Sequence, residues 1–174
     1  MDLRIGEGSD MRKTEKRKIV YVVVLAALIF AWTLTIFAQS AKSGEESTDD
    51  TNKVMEIIEE VAESVGLDAE VSTHFVRKTA HFLEYFVLGV LTSLLFLTLG
   101  GGWRFCGGFI YAVSVAFCDE FAVQRFSEGR APQFTDVLID SAGALSGLLV
   151  ILAVFVWVKA RRNTAKCHDT VNPC

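Results

Sequence analysis

Residues 19–38, IVYVVVLAALIFAWTLTIFA, run for twenty positions without a charge. As a helix rising about 1.5 Å per residue they cover roughly 30 Å, the thickness of bilayer hydrocarbon. A lone segment in lipid has to satisfy its backbone N–H and C=O groups internally, which makes it a helix. Three more apolar runs follow at 80–99, 105–118 and 137–158. The run 105–118 is fourteen residues, about 21 Å, and crosses only if its helix continues through Asp119 and Glu120 to about Val123. The chain is 51% hydrophobic with a mean hydropathy of +0.37, values that fit a small integral membrane protein better than a soluble domain. The sequence predicts an all-α polytopic membrane bundle with four transmembrane helices, at about 19–38, 80–99, 104–123 and 137–158.

Lys and Arg set the expected orientation. Residues 1–18 carry Arg4, Arg12, Lys13, Lys16, Arg17 and Lys18, and the tail 159–174 carries Lys159, Arg161, Arg162 and Lys166. The connection 39–79 holds four basic but ten acidic residues, and 119–136 holds only Arg125 and Arg130 as basic residues. Both termini are therefore expected in the cytosol of a multi-pass protein of the cytoplasmic membrane, flanking one membrane domain over 19–158. The net charge of −4 comes mainly from the acidic external connection and implies no nucleic acid. Ala38, Gln39 and Ser40 after the first run resemble a cleavage site, but the run is long for a signal segment, so an uncleaved helix is expected. Within 39–79, Val54, Ile57, Ile58, Val61 and Val65 recur at helical spacing opposite Glu56, Glu59, Glu60 and Glu63. They predict an external amphipathic helix at about 52–66, capped by Gly66 and serving as a packing lid. From Asp68 the chain is expected to run as one helix into the second span.

Ionisable residues interrupt the apolar runs where a charge costs about 2.5–3.5 kcal/mol on insertion scales. His81 and Glu84 lie early in the second run, Asp119 and Glu120 end the third, and Asp140 lies early in the fourth. Counted from the outer edge, Glu84 is about 6 Å deep, Asp119 and Glu120 about 7–9 Å and Asp140 about 5 Å. Three helices thus bring acids and a histidine to one outward layer. Phase agrees: Arg77, His81, Glu84 and Leu88 share a face, as do Glu120 with Gln124 and Asp136 with Asp140. His74 and Lys78 extend the first face outward, and Arg125 and Arg130 flank an external loop. Thr135 is the expected N-cap of the fourth helix, with Asp136 at its positive end. Asp140 shares its face with Gly143 and Gly147, a small-residue stripe that permits close helix approach.

The candidate reactive residues are His81, Glu84, Asp119, Glu120 and Asp140. The candidate ligand-binding residues are Arg77, Lys78, Gln124, Arg125, Arg130 and Asp136. Bland readings compete: Arg77 and Lys78 as interface anchors, Asp136 as a dipole residue, and the buried acids as interhelical pairs. Cys106, Cys118, Cys167 and Cys174 form no CxxC pair or disulfide framework. Neither HExxH, GxSxG nor a phosphate loop occurs, and no cofactor or metal is expected.

The stretches RKTAHFLEYFVLG at 77–89, DExxxQxFxxGR at 119–130 and DVLIDSAGALSG at 136–147 resemble the VanZ-like membrane family. Gln39 and Ser40 add a shorter likeness, and many members carry Asn at the position of Asp140. The resemblance implies a small multi-helix bacterial envelope protein; the family takes its name from a member that raises resistance to the glycopeptide teicoplanin. The leading expectation is a non-enzymatic protein acting at the outer leaflet on membrane lipids, a cell-wall precursor or a glycopeptide or lipophilic antibiotic. In that reading Arg125, Arg130 and Arg77 meet phosphate or carboxylate groups. The alternative is an intramembrane acid–base or metal-assisted enzyme acting on a lipid-linked substrate. Proton-linked transport fits less well, because the inner half of every span is apolar.

Overall fold

The computed structural model describes residues 3–42, 48–49, 51–57, 72–100, 104–126 and 133–171. Four long helices account for nearly all of them, with no strand among the described residues: α1 Leu3–Ser40, α2 Thr73–Leu99, α3 Arg104–Cys118 and α4 Phe134–Val171. The segments Thr14–Ser40, Thr73–Leu99, Cys106–Phe126 and Phe134–Thr164 are each long and apolar enough to cross a membrane. This is the four-span membrane bundle that the apolar runs predict. Apolar side chains such as Ile19, Phe30 and Leu34 of α1 and Leu149, Val156 and Trp157 of α4 lie exposed. Such a surface suits contact with acyl chains, since lipid-facing positions need no polar cover.

Helix α2 packs against α1, α3 and α4, and its contact with α4 is the most extensive. Small residues explain this closeness. A Cβ at Gly89 would overlap the backbone of Ala144, one at Gly143 the carbonyl of Phe82, and one at Gly147 the carbonyl of Phe86. The two backbones therefore touch, and the stripe inferred from Gly143 and Gly147 is the α2–α4 seam. Around it, Ile29 and Ile36 of α1, Tyr85 and Leu88 of α2, Ala112, Val115 and Ala116 of α3, and Val137 and Ala144 of α4 form the core. The Trp32 indole N–H donates to the Glu84 carbonyl at 2.9 Å and ties α1 to α2.

The third span reaches its length by an irregular route. After Cys118 the chain continues as a π-helical turn, Asp119–Val123, then as a 3₁₀ turn, Gln124–Phe126. The Gln124 N–H bonds the Asp119 carbonyl, five residues back. A π turn is wider than an α turn, so residues five apart nearly share a face. Asp119, Glu120 and Gln124 are all turned inward and buried as a result.

Two helix starts differ from expectation. Ser72 is extended, with φ −72° and ψ 134°, and its carbonyl accepts from the N–H groups of Phe75 and Val76. Helix α2 therefore begins at Thr73 instead of running in from Asp68. Helix α4 begins at Phe134, and Asp136 N–H donates to the Gln133 carbonyl at 2.9 Å. Gln133, not Thr135, occupies the capping position, because its own N–H is held by the Glu120 carboxylate. In the connection between α1 and α2, residues 51–57 are helical, with Val54 and Ile57 exposed. The remainder of the predicted helix, from Ile58 through Gly66, and Asp68 lie outside the described residues.

Candidate functional site

At one end of the bundle, where α1 finishes and α2 begins, every element presents a polar group inward. The Ser40 hydroxyl, in the last turn of α1, donates to Asp119 Oδ2 at 2.7 Å. The Gln124 side-chain amide donates to Asp119 Oδ2 at 3.1 Å and to Glu120 Oε2 at 2.6 Å. The other Glu120 oxygen, Oε1, accepts the Gln133 N–H. The π turn and the start of α4 are thus bound together by one carboxylate. Asp119 and Glu120 are both 0% exposed and Gln124 is 3% exposed. Hydrogen bonds to ionised acceptors are among the stronger protein bonds, and here they replace the water lost on burial.

His81, Asp119 and Asp140 complete the centre. One donor atom from each lies within 4.8 Å of the other two. Glu84 Oε2 stands 3.8 Å from His81 Nδ1. Asp140 is 1% exposed, and neither of its carboxylate oxygens has a hydrogen-bond partner among the described residues. The Tyr85 hydroxyl is buried without a partner as well, within electrostatic reach of Asp119, Asp140, Glu84 and Glu120. Buried polar atoms are paired in the great majority of cases, so two such groups at one end of the bundle are exceptions to the rule.

The peripheral residues divide. Lys78 Nζ pairs with Asp136 Oδ1 at 3.3 Å, linking the second turn of α2 to the first turn of α4. Arg77 is half-buried on the same helix, whereas Arg125 is exposed after the π turn. Arg130 lies outside the described residues. Of the ligand-binding candidates, Gln124 is placed as an internal brace between two acids.

Residues 19–157 match the VanZ/LLP1 family. The chain belongs to that family. The match spans all four membrane segments of this VanZ/LLP1 protein apart from their outermost turns, and it contains every polar residue of the centre. Neither a curated protein nor a solved structure matches the chain.

Sequence reasoning identified His81, Glu84, Asp119, Glu120 and Asp140 as one layer, and the structure brings His81, Asp119 and Asp140 together. It assigned no site role to Ser40, Tyr85 or the Gln133 backbone. Ser40 had a signal, a hydroxyl at the end of an uncharged span. Tyr85 had one too, because it directly follows Glu84, but its burial depends on which face α2 gives to α3 and α4. The π turn had only an indirect signal: adjacent acids that both need the inside of one helix.

Proposed function

We propose that the protein acts at the outer face of a bacterial cytoplasmic membrane, in the cell-envelope or glycopeptide and lipophilic-antibiotic response. It does so by receiving the polar head of an amphiphilic compound at the His81–Asp119–Asp140 layer. Asp140 carries this reading, as a fully buried carboxylate with neither oxygen hydrogen-bonded. A charged or polar group left unsatisfied at membrane depth costs kilocalories and persists where function requires it. The basic residues of 1–18 and 159–174 support an outward-facing layer, since both termini then lie in the cytosol. Arg125, exposed where α3 ends, and Arg77 are suited to phosphate or carboxylate groups of the ligand.

The test is deletion in the source bacterium, followed by sensitivity profiling against glycopeptides, lipopeptides and other envelope stresses. Complementation uses Asp140→Asn, Glu84→Gln and Glu120→Gln, each checked for membrane abundance. Wild-type gene restores the profile and Asp140→Asn at equal abundance does not. Full restoration by Asp140→Asn removes the reading.

The enzymatic alternative is favoured by one observation, the approach of His81 to two carboxylates within 4.8 Å. Such a set can move a proton to or from a lipid-linked phosphate or ester, with Glu84 orienting the imidazole. Turnover of a lipid-linked substrate by purified protein, abolished in His81→Gln, supports this reading. Unaltered turnover in that variant overturns it.

A further inference from the structure

Two buried carboxylates and a histidine from three helices, with Asp140 unpartnered, are an unusual set of groups to leave facing one another. Asp140 is 1% exposed, with neither carboxylate oxygen hydrogen-bonded among the described residues. Lys78, on the helix that carries His81, is engaged by Asp136. A cation at the centre supplies Asp140 with the partner it lacks.

We propose that His81, Asp119 and Asp140 bind one divalent cation of the Zn²⁺ or Mn²⁺ class; this deepens, and rests on, the reading of the layer as the working site. The donor set selects the class. An imidazole nitrogen beside two carboxylate oxygens suits zinc and manganese, whereas calcium and magnesium favour oxygen alone. The spacing is close to what a cation requires. Bonds of about 2.0–2.2 Å hold donors roughly 3–3.5 Å apart, and the three present donors lie within 4.8 Å. An approach of at most about 1.3–1.8 Å between donors closes the site.

Surrounding residues match the requirements of such a centre. Ser40 and Gln124 hold Asp119 through Oδ2. Glu84 Oε2 stands 3.8 Å from His81 Nδ1, and a carboxylate there would fix the orientation of an imidazole that ligates through Nε2. Three protein ligands leave at least one coordination position for a ligand oxygen, the pattern of sites that bind substrate and not of closed structural sites. The Tyr85 hydroxyl, unpartnered and 0% exposed, is the group available to hydrogen-bond whatever takes that position. A phosphate or carboxylate oxygen of an amphiphile has the chemistry to take that position.

The full chain, purified in detergent and stripped of metal, is titrated with Zn²⁺ and with Mn²⁺ alone. Binding is followed by elemental analysis after desalting and by the electron paramagnetic resonance of Mn²⁺. The expected result is one cation per chain, with ¹⁴N coupling from a histidine ring, lost in His81→Ala. Partners behind a metal ligand are already worth about 10–100-fold in affinity, so Asp140→Asn weakens binding at least 100-fold. Asp136→Asn, outside the donor set, changes it by less than about 10-fold. Wild-type protein that takes up neither metal, or whose bound Mn²⁺ shows no nitrogen coupling, overturns the proposal even where neither ligand variant folds. Equal affinity in Asp140→Asn overturns it as well. An envelope phenotype for Asp140→Asn without metal uptake defeats the cation site and leaves the proposed function standing. Metal uptake without any phenotype does the reverse.

Discussion

Gln124→Leu is the sharpest probe of how this bundle tolerates its acids. Leucine has nearly the shape of glutamine but no donor, and position 124 is 3% exposed, so water does not readily replace the amide. The substitution removes bonds of 3.1 Å to Asp119 and 2.6 Å to Glu120. Hydrogen bonds to charged groups are worth about 1.5–3 kcal/mol each in water-soluble proteins. Side-chain bonds inside membrane proteins average about 0.6 kcal/mol. Two bonds therefore bracket the loss between about 1 and 6 kcal/mol. Asp119 keeps Ser40 and Glu120 keeps the Gln133 N–H, which places the expected loss in the lower half, at about 2–3 kcal/mol. The measurement is unfolding in bicelles or mixed micelles, for wild type, Gln124→Leu, Ser40→Ala and the double variant. Ser40 and Gln124 share the acceptor Asp119 Oδ2, so the double variant is expected to depart from additivity by about 0.5 kcal/mol or more. Stability equal to wild type in Gln124→Leu would falsify the idea that this amide compensates the buried pair.

The α2–α4 seam predicts that Gly147→Leu loses about 2 kcal/mol or more, because its side chain collides with the Phe86 backbone; the same unfolding assay reads it. Lys78→Ala is expected to cost less than about 1 kcal/mol, since the pair with Asp136 is partly exposed, at 30% and 20%. Its melting curve is compared with wild type at low and high salt. Trp32→Phe, which leaves the Glu84 carbonyl without the indole donor at 2.9 Å, is expected to lose about 1 kcal/mol; its unfolding free energy checks this. Reporter fusions after residues 18, 45, 102 and 130 test orientation: activity of a periplasm-dependent reporter is expected at 45 and 130 only. The opposite pattern turns the polar layer toward the cytosol.

The membrane character and the span count were legible in the sequence because hydrocarbon imposes a one-dimensional rule: about twenty apolar residues cross, and fewer do not. Depth was legible by the same rule, since a helix converts residue number into distance. That is why His81, Asp119 and Asp140, separated by 38 and 21 positions in the chain, were expected in one layer and do meet. Rotation was a different matter. Which face each helix turns inward depends on α2 and α4 docking through glycines and on the π turn that swings Asp119, Glu120 and Gln124 to one side. The glycine stripe of α4 could be read from the sequence, but its partner helix and the π turn could not, because both are set by contacts between helices. Only the tertiary structure decided that Gln124 braces two acids, that Ser40 reaches Asp119 across 79 residues, and that Asp140 is left with no partner. Apolar length is a property of the segment, whereas pairing among buried polar groups belongs to the assembled bundle.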